Sequence, residues 1–181
     1  MTDNIDKYNK GNATVKNGAD DQKSDKTDNL ENNIEDNERK MVDVIIPTYR
    51  PAKEFGELLH RLEKQEYRPN RILVMNTGKE YWNSEWENYP LLEVHHLDQK
   101  DFDHGGTRKR AAELSTADIM VFMTQDALPA DRKMIGNLVR AVSRNSGTGA
   151  AYARQLPNAD CRFLERYTRS FNYPEQSSVK S

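Results

Sequence analysis

Short apolar runs alternate with more polar segments from residue 42 onward, and this alternation restricts the fold more than any other feature. Strands are predicted at residues 42–46, 71–75, 91–97 and 118–123, with a further candidate at 149–153. Helices are predicted at residues 52–65, 105–115 and 132–143. Strands that alternate with helices predict an α/β fold, in which a mostly parallel sheet carries helices on both faces.

Residues 1–40 differ from the rest of the chain in composition. Asp, Glu, Asn and Lys dominate this segment, and its apolar residues are isolated. Such a segment buries too little apolar surface to offset the entropy lost on ordering. We therefore predict a disordered polar tail at 1–40 and one domain at 41–181.

Charge, hydropathy and cysteine content exclude several classes of protein. The net charge of −2 argues against a dedicated nucleic-acid binder, which is usually basic. No apolar run approaches the roughly 20 residues that span a bilayer, so we predict no transmembrane segment. The single cysteine, Cys161, favours a reducing cytoplasm, with peripheral association at the inner face of the membrane left open.

Ligands of parallel α/β sheets bind beyond the carboxyl ends of the strands. That rule selects four segments, which follow successive strands or lie between them. They are Pro47-Thr-Tyr-Arg50, Asn76-Thr-Gly78, residues 103–110 and Thr124-Gln-Asp126. The strands before the first two are expected to stop at Pro47 and at the turn that begins with Asn76.

The segment His104-Gly-Gly-Thr-Arg-Lys-Arg110 has two interpretations. Gly105 and Gly106 open a helix, where free backbone N–H groups favour an anion such as a diphosphate. Only one or two of the three successive basic residues can face the same ligand. The alternative is a capped surface helix whose basic side chains are solvated.

Asp126 follows an apolar strand that is expected to be buried, and it is a candidate ligand for Mg²⁺ or Mn²⁺, which prefer carboxylate and phosphate oxygens. The alternative is that Asp126 caps the next helix, although Asp131 lies closer to that helix and is the better cap. His95 and His96 point to opposite faces of a strand, so they form no metal pair. His104, beside the glycines, is the more interesting histidine.

Aromatic residues offer further candidates. The loop at Tyr49 and Arg50 brings a ring and a cation together, which suits a base or a phosphate, but it can also be a plain loop. Trp82 and Trp86 either stack on a ligand or anchor their loop on the core. Residues 165–173 suit an acceptor-binding segment, or a helix that packs by its aromatic side.

In this order the segments resemble glycosyltransferase family 2, of the GT-A type. Val-Ile-Ile-Pro-Thr-Tyr-Arg50 is similar to the family's first strand and loop, and Gly105-Gly-Thr-Arg-Lys-Arg-Ala111 to its Gly-x-x-x-Ala-Arg-Asn helix. Val121-Phe-Met-Thr-Gln-Asp126 resembles the strand that ends in its Asp-x-Asp motif. Phe-Asp-His-Gly-Gly-Thr-Arg108 and Phe-Met-Thr-Gln-Asp-Ala-Leu-Pro129 resemble the rhamnosyltransferase branch, as do residues 151–157 and 165–174.

The resemblance implies a Rossmann-like GT-A fold and roles for individual residues. Thr48 and Tyr49 would line the base and ribose, Arg108 would contact the diphosphate, and Asp126 would hold Mg²⁺ or Mn²⁺. Asn76 stands where many relatives place a base-contacting Asp, and Thr124 replaces the first Asp of Asp-x-Asp. The predicted donor-binding residues are Pro47, Thr48, Tyr49, Arg50, Asn76, Gly105, Gly106, Arg108 and Gln125.

The resemblance also implies a reaction. The donor would be a nucleoside-diphosphate sugar, with dTDP-rhamnose favoured, and transfer to a saccharide acceptor would invert the sugar. In the family the catalytic carboxylate lies well downstream of Asp-x-Asp, so we expect a chain truncated at its C-terminus that transfers sugar poorly, and we assign no base. The alternatives are a catalytically incomplete nucleotide-sugar-binding fragment and another nucleotide-binding α/β enzyme. The missing Gly-x-Gly-x-x-Gly disfavours a dinucleotide dehydrogenase.

Overall fold

The computed structural model describes residues 39–157 and 161–176, so nearly all of the predicted polar tail lies outside the described residues. One sheet of four parallel strands has the order β3-β2-β1-β4. Its strands are β1 (Val42–Tyr49), β2 (Arg71–Thr77), β3 (Leu92–Leu97) and β4 (Ile119–Phe122). The helices are α1 (Glu54–Glu63), α2 (His104–Leu114), α3 (Met134–Ser143) and α4 (Phe163–Asn172).

Helices cover both faces of the sheet, because alternate strand residues point to opposite sides. Four apolar residues of α1 and two of α3 pack with Val44 and Ile46 on one face. Ala111 of α2 packs with Ile45 and Met75 on the other face. Burial of each large apolar side chain contributes about 1.5–3 kcal/mol, which makes these two layers the main source of stability. The predicted α/β class is confirmed.

Trp82 and Trp86 anchor the segment between β2 and β3 on the core, which was one of their two predicted roles. Trp86 is 8% exposed, and its ring centroid lies 5.1 Å from that of Phe55 and 5.0 Å from that of Trp82. The Trp82 indole N–H donates to Glu87 Oε1 at 3.0 Å. The second reading, in which the rings stack on a ligand, receives no support from this packing.

The first strand was expected to stop at Pro47, but the structure shows that it does not. β1 continues to Tyr49, and Pro47 lies opposite Met75 of β2. The backbone of Ile45 faces β4, since its carbonyl accepts from Met123 N. Pro47, two residues on, faces the same side, where β4 has already ended. No ladder bond is lost there, so the missing N–H of proline has no cost.

Two other predictions about this sheet were wrong. Residues 149–153 form no strand, and Tyr152 is 66% exposed, so no buried face holds the segment against a neighbour. β4 was expected to be buried, but it is an edge strand of the described sheet. Met120 and Phe122 are 42% and 47% exposed, because no described element packs on them.

The aromatic segment near the C-terminus forms helix α4. Its aromatic side does not pack against the described residues, contrary to one of the two predictions. Phe163, Tyr167 and Phe171 are 61–81% exposed. A role in acceptor binding stays a prediction.

An ion pair between the buried Asp43 and the partly exposed Arg71 ties the sheet to the end of α2. Asp43 is fully buried and accepts hydrogen bonds from Arg71, Ser115 and Asn70 at 2.7–3.0 Å. Burial alone would raise the pKa of Asp43, but these hydrogen bonds outweigh it and hold the pKa below its usual value. Arg71 also donates to the Leu114 carbonyl. The network therefore fixes where α2 ends.

Candidate functional site

The strand order reverses at β1, which lies between β2 and β4. Parallel sheets bind ligands in the crevice at such a reversal, and here the carboxyl ends of β1 and β4 border it. Gln125, in the turn after β4, joins the two ends. Its Oε1 accepts from Tyr49 N at 2.8 Å, and its Nε2 donates to Tyr49 O at 3.2 Å. This amide continues the ladder after β4 has ended. It thereby brings the turn that carries Asp126 beside the end of β1.

Behind this edge lies a hydrogen-bonded network of three side chains. Thr48 Oγ1 donates to Asn76 Oδ1 at 2.9 Å, and both residues are at most 2% exposed. Asn76 Nδ2 donates to the Gly78 carbonyl at 3.3 Å and lies 3.0 Å from His96 Nδ1. Asn76 thus has both amide hydrogens engaged. Its predicted contact with a base stays a prediction, with only the oxygen still able to take part.

The network requires a neutral His96, because Nδ1 must accept the hydrogen bond from Asn76. Burial lowers the pKa of His96, and the charge of Lys79 lowers it further, against a smaller opposing effect of Glu87. The imidazole is therefore neutral near pH 7 and suits the acceptor role. The sequence pattern placed His96 on a strand but did not show this contact.

Arg50 is held between two tyrosine rings. Its Nη2 donates to Tyr81 OH at 2.8 Å, and its Cζ lies 4.4 Å from the Tyr81 ring centroid and 5.1 Å from that of Tyr49. Arg50 has a φ of 47°, a region that non-glycine residues seldom adopt. The loop after β1 is therefore a specific conformation rather than a plain connection. Tyr81 was not among the predicted residues.

The start of α2 is capped by Asp103. Its carboxylate accepts from Gly106 N, and a Cβ added to Gly106 would lie 2.9 Å from Asp103 Oδ2. A side chain at position 106 would therefore displace the capping carboxylate. Arg108 is half-buried, and its Nη1 donates to the His104 carbonyl at 2.9 Å. The capped-helix alternative is supported, while binding of a diphosphate by Gly105, Gly106 and Arg108 stays a prediction.

Asp126 and Asp131 have different environments. Asp131 Oδ1 accepts from Lys133 N at 2.8 Å, immediately before α3 begins. Asp126 is exposed and makes no hydrogen bond or ion pair with the described residues, so it does not act as a cap. Its carboxylate is free to accept a ligand.

The fit of this edge to a divalent metal depends on Asp126 alone. The described residues contain no group of three histidine, cysteine or acidic side chains able to hold a metal. A single free carboxylate suits Mg²⁺ or Mn²⁺ when diphosphate oxygens and water complete the coordination. The donor set therefore fits a metal that binds together with its nucleotide, and not one that binds alone.

A separate open groove lies between α2 and β3 and has a volume of about 480 Å³. Its lining residues include His95, His96, Arg110 and Glu113. None of the predicted donor-binding residues lines it. His95 Nε2 lies 2.8 Å from Glu93 Oε1 at this groove.

One protein family matches most of this sequence. Residues 43–180 match the sequence model of Glycosyl transferase family 2, and the chain belongs to that family. The predicted family and its GT-A-type α/β architecture are thereby confirmed.

Curated relatives are rhamnosyltransferases. The chain is 37% identical over 147 residues to the O-antigen chain rhamnosyltransferase RfbN of Salmonella typhimurium, covering 77% of this chain and 45% of that protein. It is 26% identical over 140 residues to the O-antigen chain rhamnosyltransferase WbaN of Salmonella anatum, covering 76% and 44%. The chain thus spans less than half the length of these relatives.

Solved structures are similar at lower identity. Residues 1–349 of S. aureus TarS align with a TM-score of 0.49 and 17% identity, covering 65% of this chain and 40% of that one. The mannosyltransferase PcManGT from Pyrobaculum calidifontis, solved with GDP-Man and Mn²⁺, aligns with a TM-score of 0.48 and 24% identity, covering 56% and 32%. Within the described residues, no helix has the length and apolar character needed to cross a membrane.

Proposed function

We propose that the carboxyl ends of β1 and β4 bind the nucleoside diphosphate of a sugar donor. The protein that contains this domain would transfer the sugar, with dTDP-rhamnose as donor, to a saccharide acceptor. The observation that carries the proposal is the free Asp126 carboxylate, which Gln125 brings beside the end of β1. The family match and the names of the two curated relatives support a rhamnosyl donor.

The described residues would act mainly on the leaving group. Asp126 would hold Mg²⁺ or Mn²⁺, which supplies positive charge at the diphosphate when it is bound. The Arg108 guanidinium donates one hydrogen bond to the His104 carbonyl and has further N–H donors for a phosphate oxygen. Thr48 and Tyr49 would line the nucleoside, with Thr48 held in place by Asn76.

Transfer would invert the sugar. The acceptor oxygen attacks the anomeric carbon from the face opposite the diphosphate, and the bond from that carbon to the diphosphate oxygen breaks. The acceptor hydroxyl loses its proton to a base, and no described residue is assigned that role. Stabilising the departing diphosphate lowers the barrier most when the groups that bind it are already in place. The contact of Gln125 with the end of β1 would hold the turn that carries Asp126 in place in this way.

Titration calorimetry with dTDP and UDP, each with Mn²⁺ or with EDTA, tests the proposal. Wild type should bind either nucleotide more tightly with metal, and Asp126→Asn should lose most of that gain. Asp131→Asn is the matched control, because it removes the same charge from a carboxylate that caps the backbone. Equal metal-dependent binding by wild type and Asp126→Asn would show that the metal lies elsewhere.

A further inference from the structure

We infer that Arg50, positioned by Tyr81, is the group that recognises the nucleobase of the donor, through a carbonyl oxygen of a uracil or thymine ring. The inference rests on the proposed function, since it assigns one end of the same site. Arg50 would touch the ligand, and Tyr81 would act through Arg50.

The guanidinium is fixed yet still able to bind. The two tyrosine rings pack on it, and Tyr81 OH accepts one of its hydrogen bonds. A guanidinium has five N–H donors, and the described residues engage Arg50 through this one bond. Tyr49 and Tyr81 are themselves 39% and 41% exposed, so the cluster opens to solvent. A ligand can therefore reach the edge of a cation whose position is already set.

One sparsely populated backbone conformation, at Arg50, and one glycine with a positive φ, Gly78, converge on this contact. Arg50 has a φ of 47°, and Gly78 has a φ of 81°. A Cβ at Gly78 would lie 2.9 Å from the Tyr81 ring, so glycine lets that ring approach. Sparsely populated conformations persist only where the surroundings hold them, and they concentrate at functional sites. Gln125 supplies one such hold through the Tyr49 backbone.

Position along the sheet edge separates the base from the diphosphate. Asp126 follows β4, and Tyr81 follows β2, while β1 lies between those two strands. Neighbouring strands are about 4.8 Å apart, so the two sides of the site are separated by about 10 Å. A diphosphate near Asp126 thus directs its nucleoside toward Tyr49, Arg50 and Tyr81.

The chemistry of the neighbouring side chains favours Arg50 as the reader of the base. A base carbonyl needs a hydrogen-bond donor, and Asn76 is fully buried with both amide hydrogens engaged. Arg50 is exposed and has N–H groups to spare. Uracil and thymine each carry two carbonyl oxygens, whereas adenine carries none. The site should therefore bind dTDP and UDP in preference to ADP.

The experiment compares the affinities of dTDP, UDP and ADP, measured by calorimetry with Mn²⁺, for wild type and three variants. Arg50→Met should weaken the binding of dTDP and UDP by about tenfold or more, as expected for loss of a charged donor. The affinity for ADP should be nearly unchanged. Tyr81→Phe removes only the hydroxyl and should weaken dTDP several-fold. The double variant should bind dTDP no more weakly than Arg50→Met alone, because Tyr81 acts through Arg50.

Tyr152→Phe is the control, since Tyr152 is exposed and contacts Tyr173 rather than the site. Thermal melting shows whether each variant is folded, and loss of one hydroxyl in Tyr81→Phe should leave melting nearly unchanged. Unaltered dTDP affinity in both single variants, with Asp126→Asn still weakened, would overturn the inference and leave the proposed function standing. Additive losses in the double variant would also overturn it. Wild type that binds neither dTDP nor UDP would overturn the proposed function as well.

Discussion

Asn76→Asp is the substitution that best tests the buried network behind the site. Many relatives are expected to have Asp at this position, so the change looks conservative. Here Asn76 Nδ2 donates to the Gly78 carbonyl and to His96 Nδ1, while Oδ1 accepts from Thr48. An ionised carboxylate can accept but cannot donate. It would face the Gly78 carbonyl oxygen with no hydrogen to share, and it could accept from His96 Nδ1 only if the imidazole changed tautomer or took up a proton.

The cost of the change follows from burial. Asn76 is 0% exposed, so water cannot replace the two lost hydrogen bonds. A buried partner left unsatisfied costs about 1–3 kcal/mol, and two of them sum to about 2–6 kcal/mol at slightly alkaline pH if neither hydrogen bond is replaced. That is a large part of the total of about 5–15 kcal/mol typical of a folded domain. Thr48 keeps its acceptor, so the damage should centre on Gly78 and His96.

The pH dependence should reverse sign between wild type and the variant. Burial lowers the pKa of His96 in the wild type, so its contribution to stability is present above the unfolded value of about 6.5 and is lost as the pH falls. In Asn76→Asp the new carboxylate would raise the pKa of His96 above that value. Its contribution would then be present below about pH 6.5 and lost as the pH rises through the raised pKa.

Urea unfolding followed by tryptophan fluorescence measures both effects. The Trp82 ring lies 5.9 Å from the His96 ring, so the probe is close to the change. Between about pH 7.5 and about pH 5.5, wild type should lose stability and Asn76→Asp should gain it, by about 1.4 kcal/mol per unit of pKa difference. Adding His96→Phe should abolish the gain. Parallel slopes for wild type and Asn76→Asp would refute the assignment of His96 as the acceptor.

Three further substitutions test the frame around the site. Gly106→Ala should lower the melting temperature, because the added Cβ forces Asp103 Oδ2 away from the backbone that it caps. A Cβ at Gly105 would lie 3.6 Å from the same oxygen, so Gly105→Ala should raise the free energy of unfolding by up to about 1 kcal/mol. Equal effects of the two substitutions would contradict the steric argument. Asp43→Asn should lower the free energy of unfolding by about 2 kcal/mol at neutral pH. Breaking a fully buried ion pair would lower it more, but Arg71 is partly exposed. The lowered pKa of Asp43 means that its contribution is present above about pH 4 and lost below, so the variant should show a shallower acid decline in urea unfolding.

Elements whose signal is local could be predicted from the sequence. Helix α1 lies within the predicted range because its apolar residues repeat at helical spacing, and the four strands lie where apolar runs occur. The effect of Pro47 could not be predicted, because it depends on which neighbouring strand has already ended. Burial of β4 and pairing of residues 149–153 likewise depend on partners that an apolar run does not identify.

The candidate site was predictable only in part. Tyr49, Arg50, Gln125 and Asp126 follow from the rule that ligands lie beyond the carboxyl ends of parallel strands. Tyr81 does not, because its contact with Arg50 spans 31 positions and depends on a positive φ at a non-glycine residue. The available signal was the turn predicted at Asn76-Thr-Gly78, although Asn76 and Thr77 still belong to β2 and only Gly78 follows it. It predicted a reversal after β2 but not the side chain that the reversal would place against β1.

The unequal pairing of β1 explains why the crevice forms where it does. On the β2 side, β1 is paired as far as Tyr49, whereas on the β4 side the last pair is Ile45 with Phe122. At about 3.3 Å per residue, β1 therefore extends about 13 Å beyond its last pairing with β4. A strand exposed along one side for that length needs a substitute partner, and Gln125 provides it from a side chain. Because a side chain rather than a strand closes the ladder, the chain after β4 is free to turn, and Asp126 lies in that turn instead of continuing the sheet.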